Sequence, residues 1–147
     1  MKRLIAAALL MAATPALAQP APAPPPQIPS MPTQRPFSPA VRVGDILFMS
    51  GQIGQTPEGM DRHREGFDAA VKSAMDSIGV ILKDNGLDFG NVVKCTVMLD
   101  DMADWPRFNA AYLPYFAGKR LPARSAFGAD GLALGAPLEV ECIAAFK

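Results

Sequence analysis

The sequence predicts an α+β fold, a mixed sheet with two helices on one face, in the order β-β-α-β-α-β-β. Three observations carry that prediction. Along 138–146 the residues alternate: Leu138, Val140, Cys142, Ala144 and Phe146 share one face, and Glu139, Glu141, Ile143 and Ala145 share the other. A period of two is a strand with one face in an apolar core. Between Phe67 and Asp84, the residues Phe67, Val71, Ala74, Met75, Ile78, Ile81 and Leu82 recur at helical spacing, the stripe of an amphipathic helix. The run ILFM at 46–49 is apolar on both faces, so a layer must cover each. Helices of the same chain supply one layer, and a partner subunit is expected to supply the other.

The elements follow in order. Met1-Lys-Arg, an apolar run from Leu4 to Ala13 and Ala16-Leu-Ala18 form the three parts of a secretory signal peptide. The expectation is a leader over 1–18, cleaved after Ala18, and a periplasmic or secreted product without a stable membrane anchor, because the apolar run is too short to span a bilayer. Residues 19–36 hold eight of the fifteen prolines and are expected to form an extended tether. The folded domain is then 37–147. Phe37–Val43 and Ile46–Ser50 read as a hairpin about Gly44-Asp45, and Gln55–Glu65 as a polar loop. The single histidine, His63, lies in that loop among Asp61, Arg62, Arg64 and Glu65; with no partner at a fixed spacing, it reads as a solvated loop residue. Asn85-Gly86 closes the first helix. A strand follows over 91–99, then a second helix capped by Asp104, with Pro106 tolerated in its first turn. Its stripe of Trp105, Phe108, Tyr112 and Tyr115 or Phe116 reads as core packing; Pro114 frays its last turn.

Removing Lys2 and Arg3 from the 14 basic residues leaves 14 − 2 = 12 against 14 acidic ones, a balance that does not recruit nucleic acid. Cys95 and Cys142 both fall on inward faces of strands. A disulfide between them is open to an exported protein, but two buried thiols are the favoured expectation, since Cys is commonly buried unpaired. The last third of the chain carries the chemistry. Arg124 enters a strand after a Pro-containing loop, and Glu139 lies on the last strand. An arginine and a carboxylate on neighbouring strands would bind a small anionic substrate and activate a water.

Order and motifs together resemble the RidA/YjgF family of reactive-intermediate (enamine/imine) deaminases. The matching pieces are PFSPAV (36–41), VGDILFMSGQI (43–53), VVKCTVMLDDM (92–102), FNAAY (108–112), PARS (122–125) and LEVECIA (138–144). The resemblance implies a chorismate-mutase-like domain, a homotrimer with sheets packed inward, and ligand sites in the clefts between subunits. It implies that Arg124 binds a substrate carboxylate, that Glu139 positions or activates water, and that Phe37, Ser50, Gly51, Asn109 and Ala126 line the pocket. No metal or organic cofactor is implied. Phe37 stands where the family usually has Tyr, Ala126 where it often has Cys, and GADGLALG at 128–135 departs from the usual loop. The implied reaction is hydrolysis of 2-imino or enamine acids to 2-oxo acids and ammonia. The alternative is a non-catalytic periplasmic trimer that binds small carboxylates, since reactive enamines arise in the cytosol. An RNA-cleaving activity fits neither the acidic charge nor export.

Overall fold

The computed structural model describes residues 36–146; the expected leader at 1–18 and nearly all of the proline-rich tether lie outside the described residues. The element order is β1 (Ala40–Val43), β2 (Ile46–Met49), β3 (Gln52–Ile53), α1 (Phe67–Asp84), β4 (Val92–Leu99), α2 (Trp105–Tyr112), β5 (Ala123–Gly128) and β6 (Leu138–Ala145). The sheet runs β1-β2-β6-β4-β5, with β3 also pairing β6. Only β4 and β5 are parallel, so the sheet is mixed, as expected. Among the described residues, β3 is the one strand not anticipated from sequence: two residues carry no periodicity of their own, and only the β6 ladder defines them.

Local chemistry accounts for the boundaries. Gly44, with φ 57°, permits the two-residue turn between β1 and β2. Helix α1 ends where Gly86 takes φ 71°, and the N–H of Leu87 returns to Leu82 O. Pro114 cannot continue the α-helical ladder, so α2 tightens into a 3₁₀ turn over Leu113–Phe116. The expected cap is different: Asp104 precedes α2, but its side chain makes no capping bond and is turned to other partners. Asp101 closes the preceding 3₁₀ turn instead, accepting from the Ala103 N–H.

One face of the sheet is the core. Leu47, Val97, Leu99, Leu138, Val140 and Ala144 are buried there against Phe67, Val71, Met75, Ile78 and Leu82 of α1 and Phe108 of α2. Fully burying each of these side chains other than Ala144 contributes about 1.5–3 kcal/mol. In β4 the register shifts between Val92 and Lys94, so Val92 rather than Val93 enters the core. Cys95 and Cys142 stand directly opposite each other on antiparallel strands and are joined by a disulfide, S–S 2.02 Å. This corrects the expectation of two free thiols. Direct cross-strand register puts both Cβ atoms on one face at bonding reach, and register is a tertiary fact. A cross-link spanning 47 positions stabilises by about 4 kcal/mol in the chain-entropy account.

Nothing among the described residues covers the other face. Phe48 is 47% exposed and Phe127 50%, and Met98, Glu139, Ile143 and Ala145 beside them are only partly buried. Ser125 receives a 2.8 Å hydrogen bond from the Lys94 ammonium on this face.

Candidate functional site

Arg124 lies on β5 opposite Cys95 of β4, so its side chain shares the helix-covered face and meets α2. Its guanidinium carbon is 4.5 Å from the Trp105 ring centroid, 4.7 Å from Tyr112 and 5.7 Å from Phe108. A cation beside ring faces is attracted by their quadrupoles. Its Nη2 donates to Asn109 Oδ1 at 2.7 Å. Trp105, Phe108, Asn109 and Tyr112 fall at i, i+3, i+4 and i+7 on α2, so one helix stripe builds the whole wall. Among the described residues Arg124 enters no ion pair. One guanidinium edge is thus fixed by Asn109 and the planar face by rings, which leaves N–H donors from which an anion could accept.

Sequence reasoning placed the aromatic residues in the core and missed their contact with Arg124. The helical spacing of the stripe was visible; the edge-strand position that brings an arginine over it was not. Burial raises the Tyr112 phenol above its ordinary pKa, against the opposing charge of Arg124. The Tyr112 hydroxyl is buried without a hydrogen-bond partner among the described residues.

Glu139 belongs to a second cluster. It pairs with Ile53 and Met98 and projects from the open face of the sheet, since its neighbours Leu138 and Val140 are buried. Gly51 lies directly under it: a Cβ there would come within 1.8 Å of Glu139 Oε1. The missing side chain is therefore what admits the carboxylate. Ser50 donates through Oγ to Ser38 O at 2.6 Å, and its N–H to Pro39 O at 2.9 Å, which straps the segment carrying Phe37 along the same edge. Phe37 is half exposed. Gln52 Nε2 holds the Ser50 and Gly51 carbonyls at 2.9 and 3.1 Å.

The sequence-derived residues therefore form two groups. Arg124, Asn109 and Ala126 sit on β5 and α2; Glu139, Gly51, Ser50 and Phe37 sit on β6 and the β1–β3 edge. Contrary to expectation, Arg124 and Glu139 are not on neighbouring strands. Strand β4 separates them, a lateral distance of about 10 Å, and their side chains leave opposite faces. A cavity of about 420 Å³ lined by Ile53, Gly54, Thr56, Met60, Arg62 and Leu134–Pro137 contains neither residue.

His63 is also placed differently from expectation. Its Nδ1 lies 3.0 Å from Asp104 Oδ2 and its Nε2 3.2 Å from Asp100 Oδ2. The partners come from beyond β4, 37 and 41 positions along the chain, where no local spacing could reveal them. Among the described residues no group of three His, Cys, Asp or Glu is arranged to hold a metal ion.

The family model described as endoribonuclease L-PSP matches residues 28–146. A mouse (Mus musculus) protein named 2-iminobutanoate/2-iminopropanoate deaminase is 42% identical over 109 residues, 74% of this chain and 80% of its own. The crystal structure of the YjgF gene product from E. coli superposes with a TM-score of 0.70 at 28% identity, over 78% of this chain and 91% of that one. The structure of E. coli TdcF with bound serine superposes with a TM-score of 0.69 at 26% identity, over 78% and 91% respectively.

Proposed function

The chain belongs to the RidA/YjgF family, whose model is described as endoribonuclease L-PSP, and we propose that it hydrolyses 2-imino acids to 2-oxo acids and ammonia at clefts between neighbouring copies of itself. The observation that carries this reading is the state of Arg124. Its guanidinium is fixed by Asn109 and by the Trp105 and Tyr112 rings, yet is not neutralised by any carboxylate among the described residues. A planar cation held in this way suits a carboxylate ligand. The mouse relative is named for imino-acid deamination, and the TdcF structure holds serine, itself a small amino acid.

Arg124 binds the substrate carboxylate and so orients the imine carbon. Glu139 takes a proton from a water molecule as its oxygen adds to that carbon, and passes the proton to the imine nitrogen, which becomes an amine. The carbinolamine then collapses: its hydroxyl proton passes to the nitrogen, the C–N bond breaks, ammonia leaves and the 2-oxo acid remains. Imines hydrolyse unaided, so orientation and one proton transfer, the latter contributing about 10²–10⁴-fold, suffice. Water and the protein's own groups balance the reaction.

One chain cannot bring Glu139 to the ligand of Arg124, because the two leave opposite faces of the sheet. A second copy packed on the open face, over Phe48, Phe127 and Ile143, would supply the missing half, and a closed ring of three satisfies every half-site. The leader-like N-terminus and the Cys95–Cys142 bond support an exported protein, as disulfides persist in oxidising compartments.

Ammonia release from 2-iminobutanoate generated in situ tests the reading. The wild type is expected to exceed the spontaneous rate, and Arg124→Ala to fall back to it. An inert wild type that still binds 2-oxo acids would turn the protein into a carboxylate-binding trimer; an active Arg124→Ala variant would remove Arg124 from the mechanism.

A further inference from the structure

The segment joining β3 to α1 is held against the start of α2 by charge. His63 bridges Asp100 and Asp104 through its two ring nitrogens, at 3.2 and 3.0 Å. Arg62 shares the same Asp100 oxygen at 2.9 Å and donates to Gly135 O at 2.7 Å. Arg107 of α2 donates to the carbonyls of His63 and Arg64 at 2.9 and 2.7 Å, reaches Asp68 of α1 at 3.0 Å, and lies 3.8 Å from the other Asp104 oxygen. Asp61 accepts from the His63 N–H at 2.9 Å, and Arg64 and Glu65 flank the ring in sequence. Asp104 is buried, at 7% exposure, and a buried carboxylate is costly unless paired.

Carboxylates only accept hydrogen bonds, and an imidazole donates from both nitrogens only when both carry protons. A neutral ring can satisfy one aspartate and turns a lone pair toward the other. Histidine ordinarily changes charge between about pH 5 and 8. The Arg107 contacts to the backbone of His63 and Arg64 do not depend on that proton, so the loop stays docked while the ring's hold on the two aspartates changes. Asp104 directly precedes Trp105, whose ring stacks on Phe108 (centroids 5.8 Å apart) and on Arg124.

We propose that His63 is a positioning residue for the anion-binding half of the site: its doubly protonated ring clasps Asp100 and Asp104, fixes the first turn of α2, and thereby sets Trp105 and Asn109 around Arg124. Loss of the proton frees one aspartate and loosens that wall. The binding consequence rests on the carboxylate-receptor reading of Arg124; the clasp itself does not.

Trp105 is the sole tryptophan of the chain, so its fluorescence reports the wall directly. The full chain, His63→Asn and His63→Arg are titrated from about pH 5.5 to 8.5, above the range near pH 4 where aspartates ordinarily ionise. Trp105 emission and 2-oxobutanoate affinity are both followed. In the wild type, emission shifts with a single-proton midpoint, and affinity falls by roughly fivefold toward high pH, the lower range of coupling between sites. His63→Arg, permanently charged with several donors, gives a flat profile at the low-pH values; His63→Asn is flat at the high-pH values. A flat wild-type emission profile, or a titration that persists in His63→Asn, overturns the clasp. Emission that titrates through His63 while 2-oxobutanoate fails to bind at any pH keeps the clasp and removes the receptor reading. Unchanged affinity across the range with flat emission does the reverse.

Discussion

The Arg124 cluster and the Glu139 cluster are built by opposite means. Around Arg124, side chains do the positioning: three aromatic rings and one amide from a single helix stripe hold a long cation at the sheet's edge. Around Glu139, the backbone does it. A glycine makes room for the carboxylate, a hydrogen-bonded strap fixes the adjoining edge, and the β3–β6 ladder sets the height. Long side chains lose rotamer entropy when fixed and need packing to hold them; a short carboxylate on a strand is already aimed by the pleat. The first cluster is therefore assembled from β5 and α2 of one chain, whereas the second sets a carboxylate on the exposed face of the sheet.

The separation of the clusters is the most breakable part of this comparison. Arg124→Ala and Glu139→Gln are each expected to be inactive alone. Unfolded and refolded together, they should regain activity at about a quarter of the sites, since random mixing joins one intact Arg124 half to one intact Glu139 half with that frequency in a closed ring. No recovery from the mixture, with both variants assembled, would place the two halves of the site in one chain.

A smaller loss is expected from Gly51→Ala. The added methyl displaces the Glu139 carboxylate by an ångström or more, and a misplacement of that size costs about 10²-fold in rate. Because the clash is with a flexible side chain on the open face, the melting temperature should change little, and 2-oxobutanoate affinity, which belongs to the other cluster, should be kept. Equal losses of binding and rate would show that the clusters are not separable.

The smallest effect is expected at Tyr112. Its buried hydroxyl has no partner among the described residues, so Tyr112→Phe should be neutral or stabilising by up to about 1 kcal/mol in thermal unfolding, because a buried unpaired polar group is itself a cost. A loss of stability or of activity would reveal that the assembled protein supplies this hydroxyl with a partner, and would extend the receptor by one group.

Much of this was legible along the chain. The 3.6-residue recurrence from Phe67 to Leu82 marked α1 from end to end, and Gly44-Asp45 marked the hairpin. The alternation over 138–146 marked β6 and assigned its two faces correctly. Each is a local signal, written by the period of the backbone that carries it. The candidate residues Arg124, Glu139, Gly51, Ser50 and Asn109 came from motif order, which survives in sequence. What the chain alone could not give was who meets whom. Placing β4 between β5 and β6 separated Arg124 from Glu139, and register bonded Cys95 to Cys142. The crossover from β3 to α1 brought His63 between Asp100 and Asp104, and the edge position of β5 laid Arg124 across the aromatic stripe of α2. Periodicity fixes which face a side chain takes; partners distant in sequence are chosen by strand order and register, which exist only once the sheet has formed.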